Sequence, residues 1–198
     1  MNRWLNLSIE FKCLNEVASI TKLAGFEFSK YIQYLENGEI IALRALNLRN
    51  GCLDLNNVKY ISQEVSDKLP RSKLFKNDIL LTYTGSYGDC AMITENEKYH
   101  LAPNIAKISL KSINPQFLFQ IIKSSFFRNQ MKNYIVGSAQ PTIPMKTIRI
   151  LQVPVPDNNT QNKIVNILKC LDDKISTNKR INKNLEDTVL KIFDSLVC

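Results

Sequence analysis

The sequence predicts an α+β protein, with a mixed globular domain over residues 1–156 followed by one long coiled-coil helix over residues 157–198. Three observations predict it. Short β-rich runs, separated by Gly, Asn and Asp, fill much of the first half of the chain. A capped, apolar-rich segment follows them. Beyond a proline-rich stretch, apolar residues then recur at spacings that alternate between four and three.

The elements can be justified in order. "EIIALRAL" (39–46), "DILLTYTG" (78–85), "CAMIT" (90–94) and "IAKISL" (105–110) read as strands. "NPQFLFQIIKSSFFRNQMKNYIVG" (114–137) opens with Asn114 as a cap and Pro115 at the first helical position, and closes at Gly137. It reads as one helix, apolar enough to pack against the sheet. "TIPMKTIRILQVPVPDNNT" (142–160) carries Pro144, Pro154 and Pro156. Proline removes a donor and restricts its predecessor, so this is extended chain ending in a turn. Thr160, or an asparagine before it, is the expected cap of the last helix.

That helix carries a seam of Ile164, Leu168, Leu171, Ile175, Asn178, Asn182, Leu185, Val189, Ile192 and Leu196. A heptad pattern of this length needs a partner, and the sequence holds no second one. The same helix of another copy is the obvious candidate. In a symmetric antiparallel pair, Ile164 would face Leu196, Leu168 would face Ile192, Leu171 would face Val189, and Ile175 would face Leu185. Asn178 would then meet Asn182, so that the two amides satisfy each other and fix the register. A parallel pair would match each asparagine with itself, which leaves the direction open.

Composition bounds the function. The chain is 44% hydrophobic and 22% charged, as expected of a folded globular protein. Of its net charge of +8, all but one unit falls on residues 1–156. A moderately basic globular part fits a polyanion partner, with ordinary solubility charge as the plainer alternative. No run approaches the ~20 apolar residues of a membrane span. The start "MNRWLNLSIEFK" lacks the layout of a signal peptide, so no membrane partner and a cytoplasmic location are expected. Cys13, Cys52, Cys90, Cys170 and Cys198 are scattered without a C-x-x-C pair, which favours reduced thiols.

Catalytic patterns are missing. His100 is the sole histidine and has no metal-ligand spacing around it, so no metal site is expected. "GSYG" (85–88) is not a phosphate loop, and no G-x-S-x-G elbow occurs. Pro156–Asp157 followed by "DDK" (172–174) imitates a metal-dependent nuclease. Here, though, one carboxylate lies in a turn and the others on a helix flank, read as a solvated face. The chain is expected to be non-catalytic, with no cofactor of its own.

Three stretches carry a family resemblance. They are "LNEVASITK" (14–22), "DILLTYTGSYGDCAMI" (78–93) and "GSAQPTIPMKTIRILQVPVPDNNTQNKIVNILKCLDDKISTNKRINKNLEDTVLKIF" (137–193). Together they resemble the specificity subunit of type I restriction–modification systems, over nearly the whole chain. Where that family has a Pro-Glu-Gln-like segment this chain has "DNNTQNK", which keeps only Gln161.

The resemblance implies that the globular part is a target recognition domain reading one half of a split double-stranded DNA sequence. The helix would be a spacer arm. Full-length members pair two such helices antiparallel within one chain, so a chain with one of each is expected to form a homodimer. The resemblance also implies methyltransferase subunits as partners, with S-adenosylmethionine bound there, and leaves open a restriction or translocase subunit.

Candidate DNA contacts follow. In the glycine loop they are Tyr83, Ser86 and Tyr87; after a strand, Arg44 and Asn47. Ser138 and Gln140 lie in a Gln-Pro turn, and Asn104 stands where the family often has an amide. Lys73, Lys76 and Lys146 are candidates for phosphate neutralisation. Tight turns, packed tyrosines and solvated lysines are the plainer readings of the same residues. A self-associating structural or adaptor module, its basic charge incidental, is the alternative function. At ~1.5 Å per residue the arm extends ~55 Å, or roughly 16 base pairs at ~3.4 Å each.

Overall fold

Burial along the strand Ile79–Thr82 organises the globular part. Its four residues are all buried, because side chains alternate between two packed faces. Ile79 and Leu81 point into one core, with Ala106, Ile108, Phe117, Leu118 and Phe127. Leu80 points into the other, with Ile41, Leu43, Leu74, Tyr99 and Leu101. The computed structural model describes residues 9–137 and 139–197, without side-chain detail for Leu196 and Val197.

In chain order the strands are β1 (Glu10–Cys13), β2 (Ala18–Lys22), β3 (Ile40–Leu43), β4 (Leu48–Arg49), β5 (Cys52–Leu53) and β6 (Lys59–Ile61). They continue with β7 (Lys73–Leu74), β8 (Ile79–Thr82), β9 (Cys90–Met92), β10 (Tyr99–Leu101), β11 (Ile105–Leu110) and β12 (Gln152–Val155). The helices are α1 (Leu14–Val17), α2 (Gly25–Tyr31), α3 (Gln63–Lys68), α4 (Pro115–Lys123), α5 (Ser125–Lys132), α6 (Met145–Ile150) and α7 (Asn158–Val197).

Two four-stranded sheets run in the orders β6-β3-β10-β7 and β2-β11-β8-β9. The second is antiparallel throughout, and the first contains one parallel pair, β3 with β10. β1 pairs with β12, which ties the exit strand back to the start of the described chain. The α+β class and the long terminal helix are as the sequence predicts.

The segment 114–137 departs from the expectation of one helix. Asn114 does cap it, its Oδ1 accepting from the Phe117 N–H at 3.1 Å, with Pro115 in the first turn. The helix then stops at Ser124, whose backbone is extended, and restarts as α5. The Ser124 hydroxyl donates to the Ile121 carbonyl (2.6 Å) and accepts from the Phe127 N–H (3.3 Å). A serine that can cap both ends competes with helix continuation. A further short helix, α6, occupies part of the stretch read as extended.

α7 begins where the proline-rich stretch ends, but its cap is Asp157. The Asp157 Oδ1 accepts from the Thr160 N–H at 3.0 Å, and its main-chain carbonyl accepts from the Gln161 N–H. Gln161 is buried and bridges two elements. Its Nε2 donates to the Pro156 carbonyl (2.8 Å), and its Oε1 accepts from the Asn114 N–H (3.0 Å). The one residue kept from the family's degenerate segment therefore pins the root of α7 to the start of α4.

Past that root the helix leaves the domain. Val165 is buried, and Ile164 packs against the first core. From Leu171 onward the seam is open: Leu171, Ile175, Leu185, Val189 and Ile192 are each more than half exposed. Ile164 thus turns to its own domain and Leu168 is half-buried, while the seam residues Leu171, Ile175, Leu185, Val189 and Ile192 stand exposed. Asp172, read from sequence as solvated, instead accepts from Gln120 Nε2 at 2.6 Å and pairs with Lys123 at 3.3 Å.

Candidate nucleic-acid interface

Thr82 ends β8 and builds the glycine loop. Its buried hydroxyl donates to the Ser86 carbonyl (2.5 Å) and accepts from the Asp89 N–H (3.0 Å). The chain can turn back within this span because Gly85 and Gly88 have φ of 75° and 89°. A Cβ at Gly85 would meet nothing within 4 Å, so the left-handed backbone, not space, requires glycine there.

The Gln-Pro loop lies alongside. Gly85 N–H donates to the Pro141 carbonyl (2.9 Å), and Ile143 N–H donates to the Tyr83 carbonyl (2.8 Å). Thr142 Oγ1 reaches Thr84 Oγ1 at 3.4 Å. Two loops distant in sequence are therefore laced into one wall, which presents Ser86 and Gln140 outward.

The opposite wall follows β3. Arg44 donates through Nη2 to the Asn57 carbonyl (3.0 Å) and side-chain Oδ1 (3.2 Å), and its guanidinium lies 5.9 Å from the centre of the Tyr34 ring. The Tyr34 phenol is raised above its ordinary pKa by burial, with Arg44 opposing. The next turn ends in the β4–β5 hairpin, whose Asn50 and Gly51 have φ of 53° and 79°. This is the Asn-Gly hairpin geometry, and it holds Arg49 on the surface with a side chain 67% exposed.

Between the walls lies a groove of about 740 Å³, lined by Tyr34, Arg44, Arg49, Thr84, Ser86, Asp89, Asn104 and Gln140 among others. Four residues picked out from sequence converge here: Arg44, Ser86, Asn104 and Gln140. Asn104 also has a structural part, since its φ of 69° forms the turn before β11 and its carbonyl accepts from Tyr83 N–H. Guanidinium, amide and hydroxyl groups facing one open groove can contact phosphates and base edges together.

The other candidates sit elsewhere. Asn47 is buried and holds its own loop, donating through Nδ2 to the carbonyls of Asp54 and Asn57 at 2.9 Å each. Its Oδ1 accepts from the Arg44 N–H (3.0 Å), so it supports Arg44 instead of lining the groove. Tyr83 is buried in the first core, and burial pushes its phenol up. Tyr87 packs against that core in part. Lys73 pairs with Asp67, and Lys76 borders a different depression with Asn77 and Ser109. Lys146 is exposed on α6, away from the groove lining. Ser138 lies outside the described residues.

Tyr34, Arg49, Thr84 and Asp89 line the groove without having been singled out from sequence. The Asn50-Gly51 dipeptide is the signal that could have found Arg49, since it marks a hairpin with Arg49 beside the turn. Tyr34 has no such signal: it reaches the groove only through tertiary packing.

Among the described residues, no group of His, Cys, Asp and Glu is placed to hold a metal ion. No described helix is long and apolar enough to cross a membrane. His100 is buried, and burial holds its imidazole below the ordinary range. Its Nδ1 lies 3.0 Å from the Leu101 carbonyl, which can accept that nitrogen's proton. Cys90 is buried too, and burial pushes its thiol up to about 12.

A small α+β head with a cationic, amide-lined groove, carried on one long helix, defines the class of the molecule. The chain belongs to the family described as the type I restriction modification DNA specificity domain, whose model matches residues 6–187. It is 31% identical to the EcoBI specificity subunit of Escherichia coli over 125 residues, covering 62% of this chain and 26% of that one. With the MjaVIII specificity subunit of Methanocaldococcus jannaschii it shares 22% identity over 189 residues, covering 92% and 44%. The crystal structure of the type I restriction-modification S subunit from M. genitalium has the same fold, with a TM-score of 0.60 at 14% identity over 89% of this chain and 42% of that one. The chain thus spans less than half the length of the curated relatives it matches.

Proposed function

We propose that this chain reads one half of a split double-stranded DNA target through the groove between Arg44 and Gln140. The supporting observation is the convergence of Arg44, Arg49, Ser86, Asn104 and Gln140, brought from four separate segments to one open surface. Arginine suits phosphate or guanine, and glutamine can bond adenine bidentately. The net charge of +8 gives the long-range attraction.

The open seam of α7 pairs with the same helix of a second copy. Because Ile164 is engaged with its own head, the pairing rests on the run from Leu171 to Val189 centred on Asn178 and Asn182. Paired antiparallel, two arms would set two heads apart and impose a symmetric target. The chain has no catalytic part in this reading. It presents the site to a separate methyltransferase subunit, which binds S-adenosylmethionine and acts on a flipped base.

The reading is tested by duplex binding across a salt series. Affinity for a selected sequence should fall linearly in log–log form with salt, as phosphate neutralisation requires. It should also exceed affinity for scrambled duplex at every salt concentration. Equal affinity for both duplexes would contradict the reading.

A further inference from the structure

Beyond the packing of Ile164 and Val165 on the first core, polar contacts hold the root of α7 to the head at two points. The first is Gln161, already described, with Asn162 Oδ1 accepting from Asn114 Nδ2 at 2.9 Å beside it. The second is Asp172, which accepts from Gln120 and pairs with Lys123. Eleven residues separate the two, or ~16 Å along the axis. A helix pinned only at its base can swing about that point. A second tether about three turns along the axis removes the swing.

Lys123 is itself held. Its stem covers the Gly51 turn, where a Cβ would come within 3.2 Å of the Lys123 Cε. Its ammonium lies 5.3 Å from the centre of the Phe119 ring. The same turn carries Arg49 to the groove wall. On the neighbouring helix, Arg128 Nη2 donates to the Gly88 carbonyl at 3.4 Å, at the foot of the glycine loop. The pair α4–α5 therefore touches both groove walls on one side and the arm on the other. An exposed ion pair contributes little to stability. Lys123 is already immobilised by packing, however, so closing the pair orders little further and acts on angle more than on folding.

We infer that Lys123 and Asp172 are positioning residues, which lock the groove and the arm into one rigid body and so narrow the spacing between half-sites that a dimer accepts. The consequence for spacing rests on the DNA reading proposed above; the lock itself does not.

Two measurements test this. In the first, nitroxide labels sit at Cys52 and at an Asn184→Cys substitution, twelve residues beyond Asp172, with Cys13, Cys170 and Cys198 changed to Ser. Cys90 is buried and stays unlabelled. Labelled chain is diluted into unlabelled chain, so that only distances within one copy are read. The parent should give one narrow distance distribution, Asp172→Ala a broad one, and Lys123→Glu with Asp172→Lys a narrow one again. A broad parent, an Asp172→Ala distribution as narrow as the parent's, or a swap that stays broad overturns the lock.

In the second, parent and Asp172→Ala are offered duplexes whose two half-sites differ in spacing. Each added base pair turns the second half-site by about 35°. The parent should bind one spacing, and Asp172→Ala should lose that selectivity while its affinity for a single half-site stays unchanged. Equal selectivity in both overturns the inference. Absence of sequence-selective half-site binding in the parent would instead defeat the DNA reading, and the distance measurement would still decide the lock.

Discussion

Gln140 and Arg49 border the same groove but are suited to different work. Gln140 is exposed in a loop laced to its neighbour, and its amide can donate and accept in one plane. Arg49 is a long exposed cation beside a hairpin turn. Gln140→Ala should relax preference at one base-pair position, at about 1–3 kcal/mol of discrimination. Arg49→Ala should weaken binding uniformly across sequences and lower the salt slope by about one. Competition binding with a panel of single-base variants separates the two, and identical profiles would show the roles to be misassigned. His100 makes a different prediction, about stability. Its folded pKa lies below the unfolded value of 6.5, chiefly through burial. The folded state therefore resists a proton that the unfolded chain takes up. The contribution is fully present above pH 6.5 and is lost as pH falls below it toward the folded value. Denaturant midpoints measured on both sides should decline on the acid side, and His100→Gln should flatten that decline.

At the scale of elements, much of the chain was legible. Asn114-Pro115 announced α4, the prolines announced the exit of the chain, and the heptad spacing announced α7. What was missed has physical causes. Ser124 and Ser125 have no apolar signature of a break, yet a hydroxyl able to cap both neighbours ended one helix and began another. Asn47 resembled a surface amide because its acceptors, Asp54 and Asn57, come from the following loop and its fold. The heptad pattern gave the stripe but not its division, since Ile164 continues the seam in sequence while packing against the head in space. That division directs the test of pairing. Leu185 is 59% exposed and touches no core residue, so its replacement should leave the head intact. Leu185→Lys should convert a dimer to a monomer by light scattering, with the thermal midpoint of the head unchanged. A dimer that survives it would place the interface elsewhere.

At the scale of the molecule, the groove was half legible and the arm largely so. Three of the groove's residues follow from a strand end, a glycine loop and a Gln-Pro turn, and Asn104 follows from the family resemblance. The rest arrive through tertiary packing, which no local pattern encodes. The central claim joins groove and arm: two heads read two half-sites at a distance that the paired helices set. Selection of randomised duplexes by the intact protein, and by a variant with one heptad inserted between Asn178 and Asn182, tests it most directly. One heptad preserves the phase of the seam, so the variant should still pair. It lengthens the paired arms by ~10.5 Å, which corresponds to about three base pairs. The account predicts a symmetric pair of half-sites from the parent, and the same half-sites from the variant with a spacer longer by about three base pairs and weaker binding from the altered helical phase. An unchanged spacer at undiminished affinity, in a variant shown to be dimeric, would contradict it.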